Sequence, residues 1–163
     1  MQYDVLIVGG GPGGIYSAYE LLEKRPDLKI ALFEAGHALA RRHCPIDGVK
    51  VKSCVKCPTC AIMNGFGGAG AFSDGKLNTG TKDLRHRFIL EELVRCGAPK
   101  EILYDAKPHV GTDYLHIALK NLRRELLDLG ADIRFESQLT DLDIRDGALR
   151  GITVTGPEGT YTL

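Results

Sequence analysis

The sequence predicts an α/β fold in which a partial parallel sheet is accompanied by a small antiparallel three-strand meander. Two continuous apolar runs, Val5–Val8 and Ile30–Phe33, are separated by a glycine turn and a segment with helical periodicity. Continuous apolar runs are typical of parallel strands that are buried on both faces. Near the end of the chain, short segments of alternating apolar residues are separated by glycine-containing turns, which indicates antiparallel strands.

The first helix is expected directly after the first strand. Pro12 suits its first turn, because the N–H group that proline lacks would have no partner inside the helix there. Pro26 and Asp27 end the segment. The apolar stripe of this helix consists of Ile15, Ala18, Tyr19 and Leu22.

Two further helices are predicted in the second half of the chain. Asp83 is placed to cap a helix that runs to about Cys96. Thr112 or Asp113 is placed to cap the next helix, which Gly130 closes. The apolar face of that helix consists of Leu115, Leu119, Leu122, Leu126 and Leu129.

A third strand is predicted over residues 133–136, and the three short strands of the meander follow it. Asp146-Gly147 and residues 156–159 supply the turns between these strands. The apolar pairs that alternate on one face of the meander are Leu142/Ile144, Ile152/Val154 and Tyr161/Leu163.

The glycine turn has the spacing of a dinucleotide-binding motif, Gly9-x-Gly11-x-x-Gly14. In such a motif the glycines allow a tight turn, a close approach of the backbone to a pyrophosphate, and close packing of helix on strand. The helix that follows offers N–H groups and a partial positive charge to the phosphates. Glu34 lies 20 positions after Gly14, where an acidic side chain would meet a ribose hydroxyl. The same residues also suit a tight turn without a ligand, with Glu34 as a solvated charge at the end of a strand.

Residues 36–80 show no regular periodicity, and an insertion of this length in a small domain is usually functional or disordered. Within it, the sequence NGFGGAGAFSDG at residues 64–75, called here the second glycine loop, has five glycines among twelve residues. Such a run lets backbone N–H groups approach an anion or a flat ring closely. A flexible surface loop is the alternative interpretation.

Five segments of the chain, in this order, resemble the poorly characterised FAD-dependent dehydrogenases among the NAD(P)/FAD-dependent oxidoreductases. They are YDVLIVGGGPGG, FEAGHALARRHCP, a Cys-x-x-Cys-x-x-Cys run, GFGGAGAFSDGKL and GAPKEILYDAKPHVGTD. The fourth segment is much more specific than the first glycine motif, and the resemblance covers essentially the whole chain. It implies a glutathione-reductase-like, Rossmann-like FAD-binding domain and a small-molecule substrate whose identity it does not indicate.

The resemblance implies FAD-binding residues in both glycine segments and in the stretch that follows the second predicted strand. Glu34 would hold the adenosine ribose, and its neighbour Ala35 would also contact the cofactor. Arg41 or Arg42 would lie near the phosphates, although both arginines taken alone are more typical of solvated surface charges. Ser73 also suits an ordinary turn, as does Asp74. The pyrophosphate group consists of Gly9, Gly11, Pro12, Gly13 and Gly14, and the flavin-side group of Gly67, Gly68, Ala69, Gly70, Ser73 and Asp74.

Members of this family continue for a few hundred more residues. Residues 1–163 are therefore expected to be the N-terminal portion of the domain, with the rest supplied by a missing C-terminal region or by another chain. The strand expected at the free edge of Val5–Val8 would lie beyond Leu163, and an apolar strand at a sheet edge is an aggregation liability. The chain alone is accordingly expected to be enzymatically inactive, and to associate, aggregate or bind FAD weakly.

Four of the five cysteines are clustered, at Cys44, Cys54, Cys57 and Cys60. Their spacing is similar to that of ferredoxin ligands, and four thiolates would also suit tetrahedral zinc. Asn64 stands where a ferredoxin run has its fourth cysteine, and the family resemblance implies no metal. Structural thiols are the favoured interpretation, with a metal site and a redox thiol pair as alternatives.

His109 precedes the last predicted helix, in a segment that the resemblance places on the substrate side of the flavin. A histidine there could move protons during hydride transfer. A hydrogen-bonded loop histidine without a catalytic role is the favoured alternative. No Ser/His/Asp arrangement, kinase loop or Walker A sequence is present.

The charge balance excludes two classes of partner. The chain has 21 basic and 21 acidic residues, which gives no electrostatic support for binding nucleic acid or an anionic membrane. No apolar stretch approaches the roughly 20 residues of a membrane span, and the first strand begins too early to leave room for a signal peptide. The sequence therefore predicts a cytoplasmic protein.

The favoured interpretation is the FAD-binding portion of a flavin-dependent oxidoreductase. An NAD-binding domain is the first alternative, since Glu34 also suits the ribose of NAD, but the second glycine loop and the long insertion argue against it. A metal-binding or iron–sulfur electron-transfer module built on the cysteine cluster is the second alternative. A remnant without a cofactor is the third.

Overall fold

The structure, a computed structural model, describes residues 2–73, 75–77, 83–105 and 108–163. A β-α-β unit comes first, the insertion and two helices follow, and a run of strands ends the chain. In chain order the elements are β1 (Val5–Val8), α1 (Pro12–Lys24), β2 (Ile30–Phe33), α2 (Leu84–Arg95), α3 (Thr112–Asp128), β3 (Asp132–Arg134), β4 (Gln138–Arg145), β5 (Ala148–Gly156) and β6 (Gly159–Thr162). Short 3₁₀ turns span Leu39–Arg41, Ala69–Phe72 and Lys100–Leu103.

The first three strands form a parallel sheet with β2 in the middle. All four residues of β2 are buried, because the strand is central in the sheet and both of its faces are covered. The prediction of burial on both faces is wrong for β1, where Val8 is 57% exposed. Among the described residues β1 pairs with β2 alone, so it lies at an edge of the sheet. The carboxyl ends of β1 and β2 lie side by side, because parallel strands end at the same edge.

The sheet is covered on its two faces by different layers. Ile30 and Leu32 belong to an apolar cluster with α1, α2 and α3. Ala31 and Phe33 belong to a second cluster, with Ile152 and Val154 of the meander. Alternate side chains of a strand point to opposite faces, so β2 separates the helical layer from the meander.

The helix starts were predicted with different success. The Asp83 side chain accepts a hydrogen bond of 2.9 Å from the backbone N–H of Arg85, which confirms it as the cap of α2. The predicted caps of α3, Thr112 and Asp113, are wrong because Gly111 is the N-cap and makes the turn into the helix. No helix among the described residues is long and apolar enough to cross a membrane.

The last part of the chain forms the predicted meander, in which β5 pairs with both β4 and β6 in antiparallel register. The preceding strand β3 was predicted to end at Glu136, but it ends at Arg134. Glu136 has a φ of 53° and turns the chain, so it cannot continue the strand. Ile152 and Val154 are buried, whereas Leu142 and Ile144 of β4 are exposed.

Candidate functional site

The turn between β1 and α1 is open beside Gly11 and closed beside Gly14. Gly11 is the N-cap of α1, and its extended backbone (φ −79°, ψ 179°) is one that any residue adopts. A β-carbon at Gly11 would meet no atom within 4 Å, whereas a β-carbon at Gly14 would lie 2.0 Å from the carbonyl oxygen of Gly9. The fold therefore requires glycine at position 14, and it leaves space at position 11 beside the N–H groups that begin the helix.

Glu34 lies at the carboxyl end of β2 and ties the first turn to the insertion. Its Oε2 accepts a hydrogen bond of 2.6 Å from the N–H of Gly10. Its Oε1 accepts bonds of 2.7 Å from Gly36 and 2.9 Å from Gly65. The residue is 6% exposed, so the interpretation of Glu34 as a solvated charge is wrong. Each carboxylate oxygen can accept two bonds, and the described residues supply Oε2 with one, from Gly10.

The second glycine loop lies directly on the first turn. The N–H of Gly67 donates to the carbonyl oxygen of Gly10 at 2.8 Å. A β-carbon at Gly68 would lie 3.3 Å from the α-carbon of Gly11. Phe66 and Ala71 are fully buried, so the flexible-loop interpretation is wrong. The two glycine segments therefore form one surface beside Gly11, although the residues in contact are 57 positions apart in the chain.

Arg41 and Arg42 have different environments. Arg41 is exposed and pairs with Glu136 at 2.7 Å. Arg42 is buried, so its interpretation as a solvated surface charge is wrong. Its guanidinium lies 4.6 Å from the centre of the Phe72 ring. Its donors bind backbone carbonyl oxygens of the insertion at Ala61, Ile62, Phe66 and Gly68, each at 2.8 Å.

The remaining candidate residues of the flavin-side group lie around the 3₁₀ turn Ala69–Phe72. The hydroxyl of Ser73 donates to the carbonyl oxygen of Gly70 at 3.0 Å, as expected for a turn residue. Asp74 lies outside the described residues. Ala35, which follows Glu34 in the chain, is half-buried. Cofactor contacts of these residues stay predictions.

His109 lies near the downstream end of the second glycine loop. It forms an isolated antiparallel bridge with Lys76, flanked by a 2.9 Å bond from the N–H of Val110 to the carbonyl oxygen of Gly75. The side chain of His109 is exposed, and its role in proton transfer stays a prediction.

A different histidine, His116, contacts the second glycine loop, and sequence reasoning missed it. Its Nε2 lies 2.8 Å from the carbonyl oxygen of Ala71, and its ring packs edge-on against Phe72 at 5.3 Å between ring centres. His116 stands in α3, 45 positions after Ala71. No local pattern relates two residues at that separation.

The cysteine cluster is not assembled as a metal centre. Within residues 2–73, 75–77, 83–105 and 108–163, the structure brings no three His, Cys, Asp or Glu side chains together around a possible ion. All five thiols are free: Cys54 is exposed, Cys44, Cys57 and Cys60 are half-buried, and Cys96 is buried between helices.

We expect four thiols to react quickly with a disulfide reagent at pH 8 and the fifth to react only after unfolding. Burial raises the pKa of Cys96 to about 11, and the thiolate is the reactive form. A thiol titration in native and denaturing buffer, with elemental analysis for zinc and iron, checks this. Five equally fast thiols would contradict the burial of Cys96. Stoichiometric metal would overturn the structural interpretation of the other four.

Comparison with known proteins finds relatives by sequence but no matching family model. An uncharacterized protein of Clostridium beijerinckii is 40% identical over 151 residues, which is 93% of this chain and 28% of that protein. A thiamine thiazole synthase of Phaeosphaeria nodorum is 60% identical over 37 residues, 23% of this chain and 11% of the synthase. The chain thus spans less than a third of the length of the Clostridium beijerinckii protein.

Solved structures show the fold. THI4 of Thermovibrio ammonificans has a TM-score of 0.62 at 18% identity, over 99% of this chain and 53% of that one. The myxobacterial chondrochloren halogenase, one of the FAD-dependent halogenases, has a TM-score of 0.54 at 15% identity, over 98% of this chain and 35% of that one. The chain therefore has the Rossmann-like α/β fold of these two proteins, and the predicted fold class is confirmed.

Proposed function

We propose that this chain binds FAD and is the FAD-binding portion of a flavin-dependent oxidoreductase. The observation that carries the proposal is the open space beside Gly11. The fold does not need glycine there, since the backbone is extended and a β-carbon would meet nothing within 4 Å. Glycine at this position would instead be needed by a ligand that comes closer to the backbone than a side chain permits.

The residues around this space suit the parts of a dinucleotide. The first N–H groups of α1 would bind the pyrophosphate. Oε2 of Glu34, to which the described residues supply one donor out of the two it can accept, would take a ribose hydroxyl. The second glycine loop continues the same surface through the contacts of Gly67 and Gly68 with the first turn, and it would bind the flavin half. When bound, the flavin would supply the redox chemistry, and these residues would bind and orient it.

The second glycine loop favours FAD over NAD. NAD binding by this fold needs only the first turn and the acid after β2. The chain has in addition a loop whose Gly67 bonds to Gly10, and the GFGGAGAFSDGKL segment resembles FAD-dependent dehydrogenases. The FAD-dependent halogenase with the same fold supports this choice.

Binding of FAD to the 163-residue chain tests the proposal. We expect FAD fluorescence to be quenched on titration with the protein, and ADP to reverse the quenching because it occupies the pyrophosphate half of the same site. NADH, titrated in parallel through its own fluorescence, should bind more weakly than FAD. Tight binding of NADH without binding of FAD would support the nicotinamide alternative. Because the chain alone is expected to bind FAD weakly, the titrations extend to about 1 mM ligand, and binding of neither nucleotide at that concentration would refute the proposal.

Replacing Gly11 with valine is expected to lower FAD affinity by about tenfold or more, the equivalent of one good contact. The fold should survive, because the added side chain points into open space and the backbone is already extended. Circular dichroism checks the fold, and the fluorescence titration checks the affinity. Ser17→Val adds a comparable side chain on the exposed face of α1 and serves as the matched control. Equal affinity of both variants for FAD would place the nucleotide elsewhere.

A further inference from the structure

We propose that Arg42 is a positioning residue, which shapes the second glycine loop for the cofactor without binding the cofactor itself. This inference rests on the proposed FAD site. It assigns Arg42 a role different from the phosphate contact that the family resemblance implies.

The contacts of Arg42 hold two consecutive parts of the insertion. Nε and Nη2 bind the carbonyl oxygens of Ala61 and Ile62, and Nη1 binds those of Phe66 and Gly68, all at 2.8 Å. A guanidinium has five N–H donors, and these four bonds occupy four of them. At most one donor is left, so the side chain has little capacity to bind a phosphate.

The bonds from Nη1 set the direction of the loop amides. In a planar trans peptide the carbonyl oxygen and the following N–H point in opposite directions. The Phe66 carbonyl faces Arg42, and the N–H of Gly67 accordingly points away from it, to the carbonyl oxygen of Gly10 in the first turn. The Gly68 carbonyl also faces Arg42, so the N–H of Ala69 points away from the guanidinium as well. Arg42 thereby turns loop N–H groups toward the side on which the first glycine turn lies.

Glu34 completes this arrangement from the other side of the same peptide segment. Its carboxylate accepts the N–H of Gly65, while Nη1 of Arg42 lies 3.5 Å from the carbonyl oxygen of Gly65. Gly65 has a φ of 115°, and a β-carbon there would lie 2.6 Å from Cδ of Arg42. Two buried charges of opposite sign therefore hold the start of the loop between them, and burial lowers the pKa of Arg42 while the charge of Glu34 opposes that effect.

Lysine cannot replace this side chain. A guanidinium is a planar fork that reaches several carbonyls in fixed directions and stacks on an aromatic ring, as Arg42 does on Phe72. A lysine ammonium has three donors on one atom, so it can make at most three of the four bonds, and it has no planar face to stack on Phe72. Arg42→Lys thus keeps the charge and removes the positioning.

The test compares Arg42→Lys and Arg42→Met with Arg41→Met as the matched control, since Arg41 is the exposed neighbour that pairs only with Glu136 among the described contacts. Two quantities are measured on the 163-residue chain. One is amide hydrogen exchange of Gly67 without ligand. The other is affinity for FAD and for AMP, which contains the adenosine ribose and one phosphate but no flavin half. Phe72→Leu, which removes the ring below the guanidinium, is a milder variant in case both Arg42 substitutions unfold the chain.

We expect the Arg42 variants, or Phe72→Leu to a smaller degree, to exchange the Gly67 amide about tenfold faster and to bind FAD about tenfold more weakly. AMP affinity should change by no more than about twofold, because Glu34 and the first turn are intact. Arg41→Met should match the unsubstituted chain. Equal losses for AMP and FAD, or an Arg42→Lys variant that binds FAD normally, would overturn the proposal while FAD binding itself stands. An unsubstituted chain that binds neither nucleotide at up to about 1 mM ligand would instead refute the proposed function, and this inference with it.

Discussion

Replacing Gly14 with alanine is expected to lower the free energy of unfolding by about 3 kcal/mol or more, at the upper end for overpacking. The added β-carbon would lie 2.0 Å from the carbonyl oxygen of Gly9 and 3.2 Å from Cγ2 of Ile7. The peptide that carries this carbonyl cannot move aside freely, because its N–H, which belongs to Gly10, donates to Oε2 of Glu34 at 2.6 Å. Relief of the contact requires α1 to separate from β1. Urea denaturation followed by circular dichroism measures the loss.

Gly13→Ala is the matched control for this substitution. It adds the same methyl group one residue earlier in the same helix, where a β-carbon would meet nothing within 4 Å. Alanine has a higher helix propensity than glycine, so this variant should be as stable as the unsubstituted chain or more stable by up to about 1 kcal/mol. If both variants unfolded at the same urea concentration, the close packing of α1 on β1 would not be the reason why position 14 needs glycine.

Replacing Glu34 with glutamine is expected to cost about 3 kcal/mol, because three hydrogen bonds to a charged acceptor depend on this carboxylate. The N–H groups of Gly10, Gly36 and Gly65 converge on its two oxygens inside the protein. An amide has one oxygen, and its NH₂ group would face at least one of these donors without an acceptor between them. The same variant should bind ADP more weakly, since the ribose contact is lost together with the junction. Thermal and urea unfolding, with an ADP titration, check both effects.

Glu91→Gln is the control for loss of one carboxylate. Glu91 pairs with Arg87 one turn earlier on the exposed face of α2, and such pairs contribute at most about 0.5 kcal/mol. A cost of similar size for Glu34→Gln would mean that the three N–H groups find other acceptors. The proposed junction between the first turn and the second glycine loop would then be wrong.

The parts of the fold that were predicted correctly depend on signals close together in the chain. The Asp83 cap is one such signal, because its acceptor and the N–H of Arg85 are two residues apart. The glycine turn before α1 is another. The exact helix start at Gly111 and the strand end at Arg134 were missed, since a residue with positive φ at Gly111 or Glu136 leaves no periodic pattern.

The candidate site was predicted in part for the same reason. The sequence indicates both glycine segments and Glu34, but it does not indicate that Gly67 bonds to Gly10. The interpretation of Arg42 as a surface charge failed because its carbonyl partners, at Ala61 to Gly68, are main-chain groups. Every residue has a carbonyl, so no pattern of residue types marks the ones that a buried arginine will bind.

By itself, the sequence determined the class of fold, the order of its strands and helices, and the place of the first glycine turn, because hydrophobic period and glycine spacing are local consequences of backbone geometry. The tertiary structure alone decided which segments share a site. It brought Gly10, Glu34, Gly65 and Arg42 together through bonds that join residues 23 to 31 positions apart. It also packed the meander against Phe33, which lies more than a hundred residues earlier in the chain. The meander covers the face of β2 that the helices leave uncovered. Contacts at such separations depend on packing of the whole molecule, which no short stretch of sequence encodes.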